Sequence, residues 1–237
     1  IHSIVKGINT LLSNDGTAVI EFHYSKIIQN ELHYDSIYHE HLFYFTIKTI
    51  SKLFQKYGLF VFDVDKSPIS GGSLVLYFSK VKKPLSKNLN KLIREEKIKK
   101  INQLNMWKKF AVKSIKHAQK FKKIIQNINN KKRIIGYGAS ARSSTLLNFS
   151  GIKSNLISQI IDKNKLKKNK FTPGSGIKII DYEDAIKEIK KFDTIVILAW
   201  NFKKEIIDDL KSNGFKGNFV LPLPYQIKIY ENKKIKV

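Results

Sequence analysis

The sequence has no cysteine, which excludes disulfides, thiolate nucleophiles and cysteine-ligated metal from these 237 residues. Arginine is nearly as scarce: Arg94, Arg133 and Arg142 stand against 41 lysines. No apolar run reaches the roughly 18 residues that crossing a bilayer requires, so no membrane partner is expected. There is no signal-peptide pattern either, which leaves the cytoplasm as the expected compartment. The single methionine is Met106 and the first residue is Ile1. A chain that opens on a helical pattern with no start residue is expected to be part of something longer.

What is abundant is positive charge. With 44 basic and 19 acidic side chains the formal balance is +25, a value that directs attention to nucleic acid. Base readers rely on the planar arginine fork for bidentate contacts, however, and here nearly every cation is lysine. The excess is also local. Lys80 to Arg133 carries 19 basic and two acidic residues, as a solvated lysine coat on helices would. No nucleic-acid partner is expected. With 42% hydrophobic and 11% aromatic residues the chain can bury a sizeable core.

The pattern divides the chain into three segments. In residues 1–81, Ile4, Ile8, Leu11 and Leu12 predict a helix stopped at Asn14-Asp15-Gly16. A buried strand is predicted over 17–22, then a histidine-bearing loop, then a helix from Ile47, Ile50, Leu53 and Phe54 that ends at Gly58. Strands at 59–64 and 73–78, joined through Pro68 and Gly71-Gly72, complete the closing half of an open α/β sheet. Residues 82–132 have no glycine and only Pro84. Leu104, Trp107, Ala111, Ile115, Ala118, Phe121, Ile125 and Ile128 mark one apolar face on a long linking helix, or two in succession. Residues 133–237 alternate strands at 134–135, 157–162, 177–180, 194–199 and 218–221 with helices, which predicts a Rossmann-like α/β unit.

Three constellations are candidates for chemistry. Four of the six histidines fall between His23 and His41, and Tyr38-His39-Glu40-His41 sets imidazole beside a carboxylate and a phenol, a set suited to moving protons. A His-x-His metal site or histidines in an aromatic wall are the competing readings. Gly136-x-Gly138-x-x-Ala141 follows a strand and opens a helix, with Asp162 26 positions after Gly136. That is the context of a dinucleotide fingerprint, or of a tight turn that needs glycine for its backbone alone. Gly71-Gly72-Ser73 and Asn201 sit where backbone and amide groups could meet a ligand.

Taken together, Ile37 to Phe45, Ser70 to Leu74, Gly136 to Ala141 with Thr145-Leu146-Leu147-Asn148, Ile197 to Phe202 and Pro222-Leu223-Pro224 resemble the sugar C-methyltransferase family, in order and over nearly the whole chain. The resemblance implies the C-terminal half of a class I methyltransferase sheet, a long linking helix and a Rossmann-like C-terminal domain. It also implies S-adenosylmethionine as methyl donor and zinc on cysteines, with the donor's glycine loop and the zinc ligands both upstream of Ile1, so that this piece alone would be inactive. The substrate it implies is a nucleotide-linked 4-keto-deoxysugar. His41 would be the base, Glu40 its orienting or charge-balancing partner, and Tyr38 a contact for the keto oxygen or sugar. Gly71, Gly72, Ser73, Gly136, Gly138, Ser140, Arg142 and Asn201 are the candidate substrate contacts, with no metal ligand among them. One departure is visible: Arg142-Ser143 stands where many relatives have Lys-Gly. The alternative is a module binding NAD(P) or another nucleotide at the Gly136 loop, without methyl transfer.

Overall fold

The computed structural model describes residues 1–130, 133–231 and 234–236. The chain forms two compact units, one of Ile1–Asn30 with Leu42–Phe110, the other of Glu31–His41 with Ala111–Val237. Residues 31–41, which lie inside the first sequence segment, therefore pack with the second unit. None of the described helices is long and apolar enough to cross a membrane.

In the first unit, helix α1 (His2–Leu11) precedes strand β1 (Ala18–His23), and helix α3 (Ile47–Gln55) precedes strands β2 (Phe60–Ser67) and β3 (Ser73–Ser79). Between β1 and α3, helix α2 (Ser25–Glu31) occupies part of the stretch expected to be loop. Its seven residues are too few to show a helical period, and buried Ile28 fixes it instead. The sheet order is β1-β3-β2 with both pairings antiparallel, so β1 and β2 run the same way around a reversed β3. This is the expected closing half of the methyltransferase-type sheet. β1 was expected to be buried, but Val19 is 53% exposed and Glu21 is exposed as well, so one of its faces meets solvent.

Amphipathic spacing explains α3. Thr46 caps it reciprocally with Thr49, and Ile47, Ile50 and Phe54 turn inward, Phe54 against Phe78 with ring centroids 4.4 Å apart. Full burial of such side chains stabilises by about 1.5–3 kcal/mol each. Helix α4 (Lys87–Ile98) contributes Leu89 and Leu92 to the same core, and it also contributes a charge. Glu96 is 3% exposed, and its carboxylate accepts the Tyr24 hydroxyl at 2.8 Å and the Ile47 and Lys48 amides at 2.6 and 3.2 Å. A carboxylate from one helix thus satisfies the first free amides of another, where the helix dipole favours negative charge.

Helix α5 (Leu104–Asn129) follows α4, so the linking segment is two helices in succession. Its buried face is not quite the expected one. Phe110, Ser114, His117, Ala118, Phe121 and Ile125 are buried, whereas Leu104 is 67% and Ile115 is 48% exposed. Polar Ser114 and His117 on the inward stripe concealed it from a search for apolar residues alone.

The second unit carries strands β4 (Ile134–Tyr137), β5 (Gln159–Asp162), β6 (Lys178–Asp181), β7 (Thr194–Ile197), β8 (Asn218–Leu221), β9 (Lys228–Glu231) and β10 (Lys234–Lys236). Helices α6 (Ala141–Ser150), α7 (Tyr182–Lys187) and α8 (Lys203–Ser212) lie in the connections. Strands run in the order β10-β9-β8-β7-β4-β5-β6, parallel from β8 through β6. The chain leaves β4 toward β5 and later returns to β7 on β4's other side, which puts the topological switch point at β4 and β7. The antiparallel additions β9 and β10 were not expected, because Pro222-Leu223-Pro224 read as the exit from the last strand.

Two expected outcomes follow. Glu96→Ala leaves the Ile47 and Lys48 amides and the Tyr24 hydroxyl without their acceptor, and should cost about 2–4 kcal/mol, read as a lower urea midpoint at unchanged slope. The second concerns His117, whose Nε2 donates to the Pro222 carbonyl at 2.8 Å, so that Nδ1 accepts the Tyr34 hydroxyl at 2.9 Å. Burial lowers its pKa from the usual 6.5. The unfolded chain then holds the proton more readily, so this contribution is complete above about pH 6.5 and is lost as the pH falls below it. Thermal melts between pH 5 and 7.5 should show a shallower acid loss in His117→Gln than in the parent chain.

Candidate active site

The stretch that carries Tyr38, His39, Glu40 and His41 is built from two short turns. A 3-10 turn over Tyr34–Ser36 ends at extended Ile37, and a second turn brings the His41 amide back to the Tyr38 carbonyl at 3.0 Å. That return lays the Tyr38 and His41 rings together, centroids 4.3 Å apart and 35° between planes. Had the segment been an extended strand, residues three apart would face opposite ways.

The neighbours of His41 select one tautomer of the neutral ring. Nδ1 lies 3.0 Å from the Ser36 carbonyl, which only accepts, so Nδ1 carries the hydrogen. Nε2 is then the lone-pair nitrogen and accepts the Tyr38 hydroxyl at 3.0 Å. Burial, and after it the Glu40 carboxylate, push the Tyr38 phenol above its usual pKa, so it remains a donor at neutral pH. The Ser36 carbonyl is thus the hydrogen-bond partner of Nδ1, whereas Glu40 was expected as the orienting or charge-balancing partner. Glu40 is well exposed and pairs at 4.0 Å with His39, whose side chain is 85% exposed. No group of three histidine, aspartate or glutamate side chains arranged to hold a metal occurs among the described residues, so His39 and His41 meet no third ligand there.

Sequence reasoning missed the residue beneath this turn. Asp35 is 1% exposed and accepts Arg142 Nε and Nη2, both at 2.9 Å, in the fork geometry that suits guanidinium and carboxylate. Trp200 Nε1 donates to the same carboxylate at 2.8 Å, and the Arg142 guanidinium lies 4.7 Å from the Trp200 ring centroid. A lone aspartate beside tyrosines in sequence carries no signal for this, since both partners are more than 100 positions away. Arg142, expected among the substrate contacts, has its guanidinium engaged with Asp35.

The glycine loop after β4 is closed by its own chain. The Gly138 amide donates to the Ile161 carbonyl at 2.8 Å, Ala139 to Asp162 Oδ2 at 2.9 Å, and Ser140 to Ser143 Oγ at 2.7 Å. Lys167 bridges Asp162 and the Ala139 carbonyl at 3.0 and 2.8 Å. Gly138 adopts φ +96°, and a Cβ there would lie 2.5 Å from that of Ala199; a Cβ at Gly136 would lie 2.9 Å from Ile160 Cγ1. Both glycines are required by packing. Asp162, placed where a ribose-binding acid was expected, holds the loop instead.

Beside Tyr38 and His39 opens a cleft of about 730 Å³, within the range of small-molecule sites. Ser140, Ser144, Thr145 and Asn148 of the α6 side line it, with Lys167, Lys170 and Phe171 opposite. Tyr38 and Ser140, from two separate motifs, therefore share one cavity. Asn201 lies exposed in the turn after β7. Gly71, Gly72 and Ser73 belong to the first unit, at the entrance to β3, where a Cβ on Gly72 would lie 2.5 Å from Ile27 Cδ1.

Comparison with known proteins agrees with these motifs. The C-methyltransferase C-terminal domain family matches residues 68–224. The C-methyltransferase NovU of Streptomyces niveus is 30% identical over 230 residues, covering 94% of this chain and 54% of that protein. The chain thus spans about half the length of that curated relative. With two thirds of its residues matched by the domain and the ordered motifs of its second unit, the chain belongs to the C-methyltransferase family.

Proposed function

We propose that this chain is the C-terminal portion of an S-adenosylmethionine-dependent enzyme that methylates a carbon of a nucleotide-linked 4-keto-deoxysugar. The observation that carries the reading is the placement of His41, whose Nδ1 faces the Ser36 carbonyl and whose Nε2 lies 3.0 Å from a phenol held in its protonated form. A carbon next to a ketone becomes nucleophilic when its proton leaves. When the sugar binds, the Tyr38 hydroxyl turns from Nε2 to the ketone oxygen. The freed Nε2 takes the proton from carbon, the C–H electron pair forms the enolate double bond as the carbonyl π pair moves to oxygen, and Tyr38 donates to the oxygen that becomes negative. The Ser36 carbonyl holds the Nδ1 hydrogen throughout and favours the imidazolium that forms. Water can then remove the proton from Nε2.

S-adenosylmethionine supplies the electrophilic methyl group. The glycine pair of the first unit offers no cradle for it, because Ile27 fills the space above Gly72; the donor's binding residues, and the zinc the family resemblance implies, are assigned to a part of the protein outside these residues. The fragment by itself is accordingly expected to be inactive. The sugar nucleotide is assigned to the cleft beside Tyr38, which Ser140, Ser144 and Thr145 line, with Lys170 as a cation for a diphosphate. The NAD(P) alternative is disfavoured by the glycine loop, whose first three amides after β4 are spent on Ile161, Asp162 and Ser143.

The test uses the full-length enzyme with a nucleotide-linked 4-keto-deoxysugar in deuterated water. His41→Asn should lower turnover by about 10²–10⁴-fold, the usual span for a lost general base, and should abolish deuterium entry at the carbon next to the ketone. Unchanged exchange and turnover in that variant would remove the assignment. Stabilisation in thermal melts by S-adenosylhomocysteine and by the sugar nucleotide is expected, whereas stabilisation by NAD(P) alone would favour the alternative.

A further inference from the structure

We infer that Asp35 is a positioning residue for the base: its pairing with Arg142 and Trp200 fixes the Ser36 carbonyl that selects the His41 tautomer. The inference rests on the proposed role of His41 and adds the residues that make this role possible.

The chain of contacts is short and continuous. Asp35 and Ser36 are adjacent in one 3-10 turn, and the Ser36 carbonyl is the acceptor of His41 Nδ1–H. If that carbonyl rotates away, the imidazole loses the acceptor that keeps its hydrogen on Nδ1. The other tautomer would place a hydrogen on Nε2 and remove the lone pair that faces Tyr38. Three donors converge on the Asp35 carboxylate, two from Arg142 and one from Trp200. Arg142 sits in the first turn of α6, and Trp200 in the turn after β7. β4, which leads into α6, is hydrogen-bonded to β7 at the centre of the sheet. The carboxylate is therefore clamped by groups that follow two neighbouring, hydrogen-bonded strands.

Energetics favour a geometric role for the pair. A buried ion pair gains little or nothing over apolar side chains of the same volume, since both charges must be stripped of water. Stability alone would not select Asp35 and Arg142. A bidentate fork does set direction as well as distance, and lysine in place of arginine cannot reproduce that geometry. Tyr34 adds a second anchor one residue earlier, through His117 to the Pro222 carbonyl, so the turn is held at Tyr34 as well as at Asp35.

The experiment compares Asp35→Asn, Arg142→Lys and Trp200→Phe with the parent full-length enzyme. It reads deuterium exchange at the substrate carbon without methyl donor, turnover with it, and KM for the sugar nucleotide, all per folded molecule. The expectation is at least a tenfold fall in exchange and in kcat for Asp35→Asn and Arg142→Lys, and a smaller fall for Trp200→Phe, with KM changed less than about threefold. In ¹⁵N-histidine spectra the His41 signals should move from a single Nδ1–H tautomer toward a mixture. Should Asp35→Asn fail to fold, Trp200→Phe, which keeps an aromatic side chain while removing the indole N–H, carries the test. Exchange and kcat within twofold of the parent, with an unchanged tautomer, would overturn the inference. His41→Asn is run in parallel: if it is inactive while the other three behave as the parent, only the positioning role falls. If His41→Asn exchanges normally, the base assignment falls first and this inference with it.

Discussion

A carboxylate that is 1% exposed must find donors for its oxygens or be expelled to water, and Asp35 finds three. Much of the second unit's local design follows from that requirement. Arginine is needed at 142 because only a planar fork fills both oxygens at once. Tryptophan is needed at 200 because its ring carries the guanidinium on one face while its N–H reaches the same carboxylate. The turn that bears Asp35 is thereby tied to the Rossmann-like sheet, although in sequence it lies among elements of the other unit. The base motif is thus a graft, local in chain order and remote in what supports it.

The glycine loop deserves the opposite reading from the one its pattern invites. A strand, a tight turn with two glycines, and a helix opening on a serine are what a phosphate site requires, and they are also what a compact strand-to-helix corner requires. Here the amides go to internal acceptors, a carboxylate stands where the helix dipole favours negative charge, and a lysine neutralises it. A loop satisfied in this way has little to gain from an incoming pyrophosphate, which would first have to displace Asp162. What the corner does supply is a rigid side wall, since Ser140 and the hydroxyls of α6 border the cleft next to Tyr38.

Fold class and order of elements were legible because they depend on periods, which any single sequence displays: the strands of the parallel sheet, the switch from β3 to two long helices, and the amphipathic face of α3. The parts that were not legible depend on contacts between distant positions. α2 has too few residues for a period. The inward stripe of α5 includes Ser114 and His117, which are polar yet buried because His117 finds Tyr34 and Pro222. Arg142 was expected to be a ligand contact from its place in the Gly136 motif, and nothing near it in the chain announces an internal partner. Residue types pointed to the stretch from Tyr38 to His41 and the family resemblance to His41 within it, whereas the Ser36 carbonyl could not be foreseen, because any residue would supply one.

That last point bears on how the base is built. A carboxylate behind the imidazole would provide orientation and charge together, and would hold the proton on the ring more strongly after abstraction. A carbonyl provides orientation with only a partial charge, so the imidazolium is less stabilised and surrenders its proton more easily. If His41 takes a proton from carbon as proposed and must then be cleared for the next cycle, the weaker partner would suit turnover, provided the carbonyl does not wander. A carbonyl in a loop wanders unless its neighbours are fixed. The full negative charge that a catalytic dyad would spend on the histidine is here placed one residue earlier, at Asp35, where it fixes the backbone while remaining neutralised by Arg142.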